Sequence, residues 1–325
     1  MKHGIFVFLL VAVCFTSCNN DDNGGPDVIS VPPRLLAEVA PENDEEIKEF
    51  LQTHFYNYEE FESPPAGFDF KIKIDTIAGA NANKTPLADQ VSEMEIKVSS
   101  FEHGLSEEEI DVPHTIYYLS ARDGIGVSPT VADSVFVRYE GLLLDGTSFD
   151  ASLNNAVWFD LARLQDLQQG FRGFAEGVPN FKAGGTITEN GDGTVTVDGY
   201  GVGMIIFPSG LGFFEAIGGS IPQYSPLIFN IDLYTINISD HDNDGIPSIQ
   251  EDLNGNGYLY DDNTDAQGEE DAGLTVRFAN FQDADDDGDG VSTRNEISDD
   301  NGNIIIPYPD SNGDGTPDYL DPDTN

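Results

Sequence analysis

The strongest constraint on how this chain can fold is an acidic spacing that recurs between residues 239 and 325. The segment holds 24 Asp and Glu residues but only two Arg. The spacing is D-x-D-x-D-G-x5-E. In one copy, Asn replaces the second Asp and Asp replaces the final Glu. The three copies place their carboxylate and amide side chains at Asp240, Asp242, Asp244 and Glu251, at Asp285, Asp287, Asp289 and Glu296, and at Asp310, Asn312, Asp314 and Asp321. Such acidity indicates that a cation neutralises the segment.

Calcium explains the spacing of these acidic residues. Alternating carboxylates converge on one ion, the glycine permits a sharp turn, and the last acid closes the oxygen shell. The sequence therefore predicts structural Ca²⁺ in residues 239–325, with no cofactor for catalysis. The alternative is a disordered acidic tail. A fourth copy at residues 252–263 is weaker because it ends in Asn263. The flanks do not resemble paired EF-hand helices, whereas DSNGDGTPDYLD at residues 310–321 resembles thrombospondin type 3 calcium repeats.

Composition excludes two classes of partner for the chain as a whole. The hydrophobic fraction of 39% and the aromatic fraction of 10% are enough to build a core. The net charge of −45 argues against nucleic acid and against docking on anionic lipid through a basic patch.

The N-terminus predicts export. Lys2 and His3 precede a short apolar run, which has the layout of a signal peptide over residues 1–18. FTSC resembles a bacterial lipobox with Cys18 as the lipidated residue, although an ordinary cleaved signal with an incidental Cys is the alternative. NNDDN after Cys18 resembles the export signal of surface lipoproteins in the Bacteroidetes group. We expect a protein lipid-anchored to the outer membrane, on its periplasmic or cell-surface face, with a flexible linker over residues 19–42.

Residues 43–112 predict an accessory α+β segment. Asn43 and Glu46 have the form of a capping box, so a helix of about three turns is expected to begin at Asn43. Apolar and charged residues alternate over residues 68–75, which predicts a half-buried strand, and the same period recurs more weakly over residues 94–98. We find no chemical motif here and expect the segment to pack on the next domain, with dimerisation or client binding as the alternative.

Residues 113–238 predict a second α+β domain. Residues 116–119, 135–144 and 227–236 have strand character, Asp145-Gly146 is a turn signal, and one helical segment covers residues 173–181. Residues 186–203 alternate around a Gly-rich turn and predict an additional hairpin. Many strands and one short helix favour a sheet packed on that helix.

Four blocks in this domain carry a family resemblance. They are VRYEGLLLDGTSFDAS at residues 137–152, GFxGFAEGVxxFxxG at residues 170–184, Pro208-Ser209, and SIPxxxPLIFNIDL at residues 220–233. In order and spacing they resemble the FKBP-type peptidyl-prolyl isomerases. The resemblance implies a curved antiparallel sheet wrapped around one short helix, an apolar pocket between them, and proline-containing polypeptides as clients. It implies pocket residues at Tyr139, Phe149, Asp150, Phe159, Phe171, Phe174, Phe213, Ile221 and Phe229.

Three departures from the family pattern bear on activity. Phe174 replaces a Trp at the pocket floor, Phe213 replaces a Tyr, and Asn155 replaces an Arg that pairs with the acidic residue. Phe214 and Tyr224 are close enough in sequence to take the place of Phe213. Three interpretations therefore stay open, namely an isomerase that assists folding of exported proteins, an FKBP-like chaperone that holds proline-containing segments with little turnover, and a calcium-stiffened surface protein.

Overall fold

The computed structural model describes residues 32–166, 169–191, 194–215 and 219–324. The signal peptide predicted for residues 1–18, with Cys18, and the first part of the predicted linker lie outside the described residues. The α-helices are α1 (Leu36–Thr53), α2 (Tyr58–Glu62), α3 (Leu161–Leu164), α4 (Arg172–Gly177), α5 (Ala266–Asp271) and α6 (Thr293–Glu296). The strands are β1 (His54–Tyr56), β2 (Ile74–Thr76), β3 (Ser92–Val98), β4 (Val112–Arg122), β5 (Ser134–Leu143), β6 (Ser148–Asp160), β7 (Ile187–Glu189), β8 (Val195–Val197), β9 (Gly201–Phe207) and β10 (Leu227–Asn237).

A six-stranded antiparallel sheet forms the centre of the fold, in the order β3-β4-β9-β10-β5-β6. The predicted α+β class and the strands expected in β3, β4, β5 and β10 are confirmed. The turn at Asp145-Gly146 is also confirmed, since Gly146 has φ +84°. The expected additional hairpin forms from β7 and β8. Edge strand β3 comes from the accessory segment, which therefore shares the sheet with the next domain.

Both faces of this sheet are buried, by different parts of the chain. Helix α4 and the aromatic residues pack on one face, while α1 and the segment following it cover the other with Ile47, Leu51 and Leu87. Central strand β9 is consequently buried at every position. Continuous burial on both faces accounts for its unbroken apolar run MIIF, which lacks the alternation of a half-exposed strand.

Two glycines let α4 lie directly on β9. Gly173 and Gly177 are four residues apart and so share one face of the helix. A Cβ atom added at Gly173 would come within 2.3 Å of the Phe207 ring, and one at Gly177 within 2.6 Å of Ile205. The helix that carries the pocket floor is therefore held against the sheet at a separation that a larger residue would not allow.

The helix predicted to begin at Asn43 in fact begins at Leu36, so the capping-box interpretation and the linker assignment of residues 36–42 are wrong. A distant carboxylate caps this helix, because Glu109 accepts hydrogen bonds from the backbone N–H groups of Leu36 (2.7 Å) and Ala37 (2.9 Å). The helix runs through Pro41. Asn43 lies buried in its interior and binds a loop of the next domain.

The strand predicted over residues 68–75 is also wrong for most of its length. Only Ile74–Thr76 pairs as a strand, with His54–Tyr56. Phe70 has φ +55°, which is incompatible with a continuous strand. The centroid of its ring lies 3.9 Å from the Arg122 guanidinium carbon. The alternating apolar residues therefore pack in a cluster near β4 instead of forming a continuous strand.

The acidic segment packs against the rest of the fold. Gln165 Nε2 donates to the carbonyl oxygen of Gly257 (2.6 Å), and Gln165 Oε1 accepts from Leu259 N–H (3.0 Å). A small apolar cluster joins the two parts, made of Ala132, Ala162, Leu259, Ala279 and Phe281. The compact unit accordingly extends over Arg34–Asn325. In the described part of the chain, no helix has the length and apolarity needed to cross a bilayer.

A buried histidine in β4 should make the protein sensitive to acid. Burial lowers the pKa of His114 from 6.5 to about 4, with His103 and Arg172 adding to the decrease and Glu109 opposing it. In the unfolded chain, His114 takes up a proton once the pH falls below its ordinary pKa, whereas in the folded chain it stays neutral. The contribution of the neutral His114 to the unfolding free energy is therefore fully present above about pH 6.5 and is lost as the pH falls toward 4. We expect a loss of roughly 3 kcal/mol across this interval.

Urea unfolding at several pH values measures this effect. In the His114→Gln variant, the pH dependence of the unfolding free energy should correspond to the uptake of about one proton fewer than in the wild type. An unchanged dependence in that variant would show that His114 does not cause the acid sensitivity.

Candidate active site and candidate calcium loops

The predicted pocket residues come together as one aromatic basin on the α4 face of the sheet. Phe174 and Phe229 form its buried floor, with ring centroids 5.2 Å apart and exposed fractions of 2% and 3%. Ile221 is also buried in this cluster. The half-buried rings around the floor are Phe149, Phe159, Phe171 and Phe213.

Strand alternation and helical spacing explain why these side chains converge. Phe159 in β6 faces the basin, 5.5 Å from the Phe174 ring, while its neighbour Trp158 faces away and packs on Phe136. Phe171 and Phe174 are three residues apart at the start of α4 and therefore point to the same side. The Phe171 ring contacts Phe213 at 4.7 Å, which closes the rim.

A polar pair lies at the edge of the basin. Tyr139 Oη donates a hydrogen bond of 2.6 Å to Oδ2 of Asp150. Burial, and next this hydrogen bond, raise the pKa of Tyr139 well above its usual value, so its hydroxyl remains protonated. Asp150 itself is exposed. The pair thus presents a solvent-accessible carboxylate beside apolar rings, as the resemblance implied.

The structure decides which aromatic residue of the following loop faces the basin. Phe213 is half-exposed and contacts Phe171, whereas Phe214 is buried and packs on His103 and Tyr224. Asn43 of α1 holds this loop. Its Oδ1 accepts from Ser209 N–H (2.9 Å), and its Nδ2 donates to the Tyr224 carbonyl (3.0 Å).

Two residues of this region were not predicted, and only the first of them lies in the basin. Phe207 stacks on Phe229 with centroids 5.8 Å apart and an interplanar angle of 9°. Its position at the end of the apolar run of β9 was the available signal. Arg172 is buried in α4 and bonds Glu102 (2.6 Å) and Glu176 (3.1 Å), while its guanidinium lies 4.4 Å from the Tyr258 ring. It joins the accessory segment and the acidic segment to the helix that carries the floor.

The acidic repeats share one loop conformation. In all four copies the first Asp accepts a hydrogen bond from the glycine N–H five residues later, at 3.0 to 3.2 Å. The four glycines all have positive φ, between +82° and +108°, a region open mainly to glycine. The recurrence of this geometry shows that the sequence repeats are structural repeats.

In the loops at residues 240–251 and 285–296 the carboxylates converge, and their inner oxygens have no hydrogen-bond partner. Asp240, Asp242 and Asp244 have ligand atoms within 4.8 Å of one another, and so have Asp285, Asp287 and Asp289. One oxygen of each is buried without a hydrogen-bond partner, as are both oxygens of Glu251 and Glu296. Burial raises the pKa of Glu251 to about 10 and that of Glu296 to about 8, with neighbouring carboxylates adding to both. Buried unpaired carboxylates are costly unless a cation binds them, so these residues fit a hard divalent ion.

The third loop differs from the first two. Asp310, Asn312 and Asp314 are exposed, and Asn312 Nδ2 donates to Asp321 Oδ2 at 2.8 Å. Among the described residues, none of the clusters of three acidic groups includes a residue of the third loop. Two of them were not predicted, namely Asp244 with Glu251 and Asp286, and Asp265 with Glu269 and Asp283. The first combines residues of two loops and the second combines residues that lie outside the repeats, so the spacing within one repeat does not reveal either.

An antiparallel sheet carries this apolar aromatic basin, with the Tyr139–Asp150 pair at its edge. Residues 126–234 match the profile of the family described as FKBP-type peptidyl-prolyl cis-trans isomerase. Residues 126–234 are therefore similar to the isomerase domain of that family. Residues 241–309 match the profile described as BamM C-terminal.

Named relatives match part of the chain. The FKBP-type peptidyl-prolyl cis-trans isomerase FkpA of Aeromonas hydrophila is 25% identical over 202 residues, which is 62% of this chain and 60% of that protein. The probable FkpA of Neisseria meningitidis serogroup B is 32% identical over 124 residues, 37% of this chain and 38% of that protein. The chain thus spans less than two thirds of the length of these relatives.

Solved structures also match. The crystal structure of FkpA from Escherichia coli aligns with 21% identity and a TM-score of 0.31, covering 62% of each chain. An isomerase from Pseudomonas syringae pv. tomato aligns with 24% identity and a TM-score of 0.29, covering 38% of this chain and 75% of that one.

Proposed function

We propose that this protein is a peptidyl-prolyl cis-trans isomerase that acts on proline-containing polypeptides and assists the folding of exported proteins. The observation that carries the proposal is the half-exposed ring of aromatic residues over the buried Phe174–Phe229 floor, with Asp150 at its edge. Apolar rings of this kind offer a surface on which a pyrrolidine ring can pack, and the carboxylate of Asp150 offers a polar group beside it.

The proposed chemistry needs no nucleophile and no cofactor. Rotation about an X-Pro bond meets a barrier of about 18 to 20 kcal/mol because the planar amide must lose its resonance. A twisted amide has less charge separation than a planar one, so a dry aromatic surface favours it. Phe149, Phe171 and Phe229 would exclude water, and Asp150, held by Tyr139, would orient the flanking amide.

A protease-coupled assay on an X-Pro peptide tests the proposal. The full chain should isomerise the peptide faster than the uncatalysed rate. A rate equal to background, combined with suppression of client aggregation, would support a chaperone that holds clients without turnover. Phe213 is the observation that favours this second candidate, since phenylalanine offers no hydroxyl to a substrate carbonyl. One such hydrogen bond contributes about 0.5 to 1.5 kcal/mol, so its loss weakens catalysis without abolishing it.

Replacing Asp150 with alanine should lower kcat/KM roughly tenfold or more, because the carboxylate is a charged group at the reacting amide. Asp150 is exposed, so the unfolding free energy should change by only about 1 kcal/mol, from the lost bond to Tyr139. Asp145→Ala, at the exposed turn between β5 and β6, is the matched control and should retain full turnover. Equal activity in both variants would remove Asp150 from the mechanism.

We further propose that Ca²⁺ binds the loops at residues 240–251 and 285–296 and stabilises the acidic segment. The unpartnered inner oxygens of both loops support this proposal. Three aspartates and a terminal glutamate form the oxygen-rich set that Ca²⁺ prefers. The third loop, at residues 310–321, would bind more weakly because it is exposed and contains an amide at one position.

Export and lipid anchoring at Cys18 complete the proposal and rest on the sequence. Lipidation would place the enzyme at the outer membrane, where extracellular calcium fills weak loops. Labelling with a radioactive fatty acid in a bacterial host tests this. Incorporation should disappear in the Cys18→Ser variant and persist in Cys14→Ser. Labelling that survives Cys18→Ser would refute the assignment.

A further inference from the structure

Three consecutive aspartates open the second calcium loop, and the middle one turns away from that loop. Asp285 and Asp287 face the cluster of their own loop. Asp286 lies between them, is 1% exposed, and belongs to a different cluster. Residues 285–288 form a turn closed by the Gly288 N–H to Asp285 carbonyl bond of 3.1 Å, and Asp286 is a central residue of that turn.

Asp286 faces the first loop. Ligand atoms of Asp244, Glu251 and Asp286 all lie within 4.8 Å of one another. Each of the three residues is 1% exposed. Asp244 Oδ2, Asp286 Oδ1 and both oxygens of Glu251 are buried without a hydrogen-bond partner. Three carboxylates whose buried oxygens lie this close together without a hydrogen-bond donor fit a cation bound between them.

Thr293 fixes the orientation of Asp286. The Thr293 hydroxyl donates to Asp286 Oδ2 at 2.9 Å and accepts from the Asp286 N–H at 3.1 Å. Thr293 is itself fully buried. The side chain of Asp286 is therefore held with Oδ1 toward the first loop, as expected of a ligand supported by a neighbouring hydroxyl.

We infer that the calcium site of the first loop is composite and that Asp286 of the second loop is one of its ligands. This inference rests on the proposed calcium binding. With Asp240, Asp242 and Asp244 as single ligands and Glu251 bidentate, Asp286 brings the side-chain oxygens to about six, within the six to eight that Ca²⁺ takes. Mg²⁺ usually retains several waters and binds one or two carboxylates, so it fits this set poorly.

The composite site couples the two loops. The run of residues 285–287 would contact both ions, with Asp286 on the first and its two neighbours on the second. Ordering this run for one ion prepares it for the other, which produces positive cooperativity. The ion would also hold residue 286 to a loop that ends at residue 251. The apolar cluster of this region, formed by Ile246, Ile297 and Tyr319, is small, so the bound ions would contribute much of the free energy that stabilises the region.

Calorimetric titration of the calcium-free full chain with Ca²⁺ alone tests the inference. The wild type should bind cooperatively at two sites or more. Asp286→Asn keeps the shape of the side chain but should weaken the first site by roughly tenfold or more and reduce the Hill coefficient. Asp271→Asn, an exposed residue at the end of α5, is the matched control and should bind as the wild type does.

The outcomes separate the two proposals. Wild-type protein that binds no Ca²⁺ would refute the calcium function itself. If the wild type binds Ca²⁺ and the Asp286→Asn variant binds it equally well, the composite site is refuted but calcium binding is not. If Asp286→Asn does not fold, Thr293→Val provides the second variant, because it frees Asp286 without removing a carboxylate. Thr293→Val should weaken the same site, and wild-type affinity and cooperativity in that variant would also overturn the inference.

Discussion

Replacing Phe229 with alanine should abolish measurable isomerase turnover and lower the unfolding free energy by about 3 to 5 kcal/mol. The Phe229 ring contacts five other rings, those of Tyr139, Phe149, Phe171, Phe174 and Phe207. Its removal leaves a cavity at the centre of the floor. Urea unfolding measures the stability, and the protease-coupled assay measures turnover at a temperature where the variant remains folded.

Two further variants make this prediction specific. Phe136→Ala removes a half-buried ring on the opposite side of β5, where it packs on Trp158 and Tyr234, so it should destabilise the protein and preserve turnover per folded molecule. Phe229→Leu keeps most of the buried volume and should fold but turn over slowly. If Phe229→Leu folds and matches the wild-type rate, the basin is not the active site.

Adding Ca²⁺ to the chelated protein should raise its unfolding free energy by about 3 to 4 kcal/mol. For one loop with a dissociation constant of about 10⁻⁴ M in about 2 mM Ca²⁺, mass action gives about 1.8 kcal/mol, and the two buried loops together give about twice that. Burial, and next the neighbouring carboxylates, raise the pKa of Glu251 and Glu296, so ionising these groups costs free energy that a bound cation offsets. Hydrogen exchange should locate the added protection in residues 239–324.

Mg²⁺ at the same concentration is the control, since its smaller octahedral shell suits these loops poorly. The variant Glu296→Gln should lose about half of the calcium effect, because it removes the bidentate acid of one loop only. Equal stabilisation by both cations would indicate general charge screening in place of specific sites.

Local sequence patterns predicted much of the fold and of the candidate site. Alternation predicted β3 and β10, and β-branched and aromatic residues predicted β4 and β5. The Asp-Gly pair predicted the turn before β6, because turn chemistry is a property of adjacent residues. The four blocks contain seven of the nine pocket residues, and the resemblance implied the other two, Phe159 and Phe213; the structure brings the nine into one region. The acidic spacing predicted loops with a common conformation, which the repeated Asp to glycine hydrogen bonds show.

The predictions failed where distant residues determine the local structure. The helix start was misplaced because its cap is Glu109, about seventy residues away in the chain, and because Pro41 suggested a boundary. The strand at residues 68–75 failed because Phe70 packs on Arg122 in a left-handed backbone conformation. A periodic pattern reports which side chains are buried and leaves open which partner buries them.

The sequence by itself indicated the parts, namely a segment that resembles the FKBP-type isomerases, an accessory segment and acidic loops, since the residues that point to each part lie close together in the chain. Only the tertiary structure decided how the parts depend on one another. It turns Phe213 and not Phe214 toward the basin, places Asn43 against the loop that carries them, and brings Asp286 to the first acidic loop. These contacts join residues far apart in sequence, and packing sets their geometry, so no local pattern specifies them.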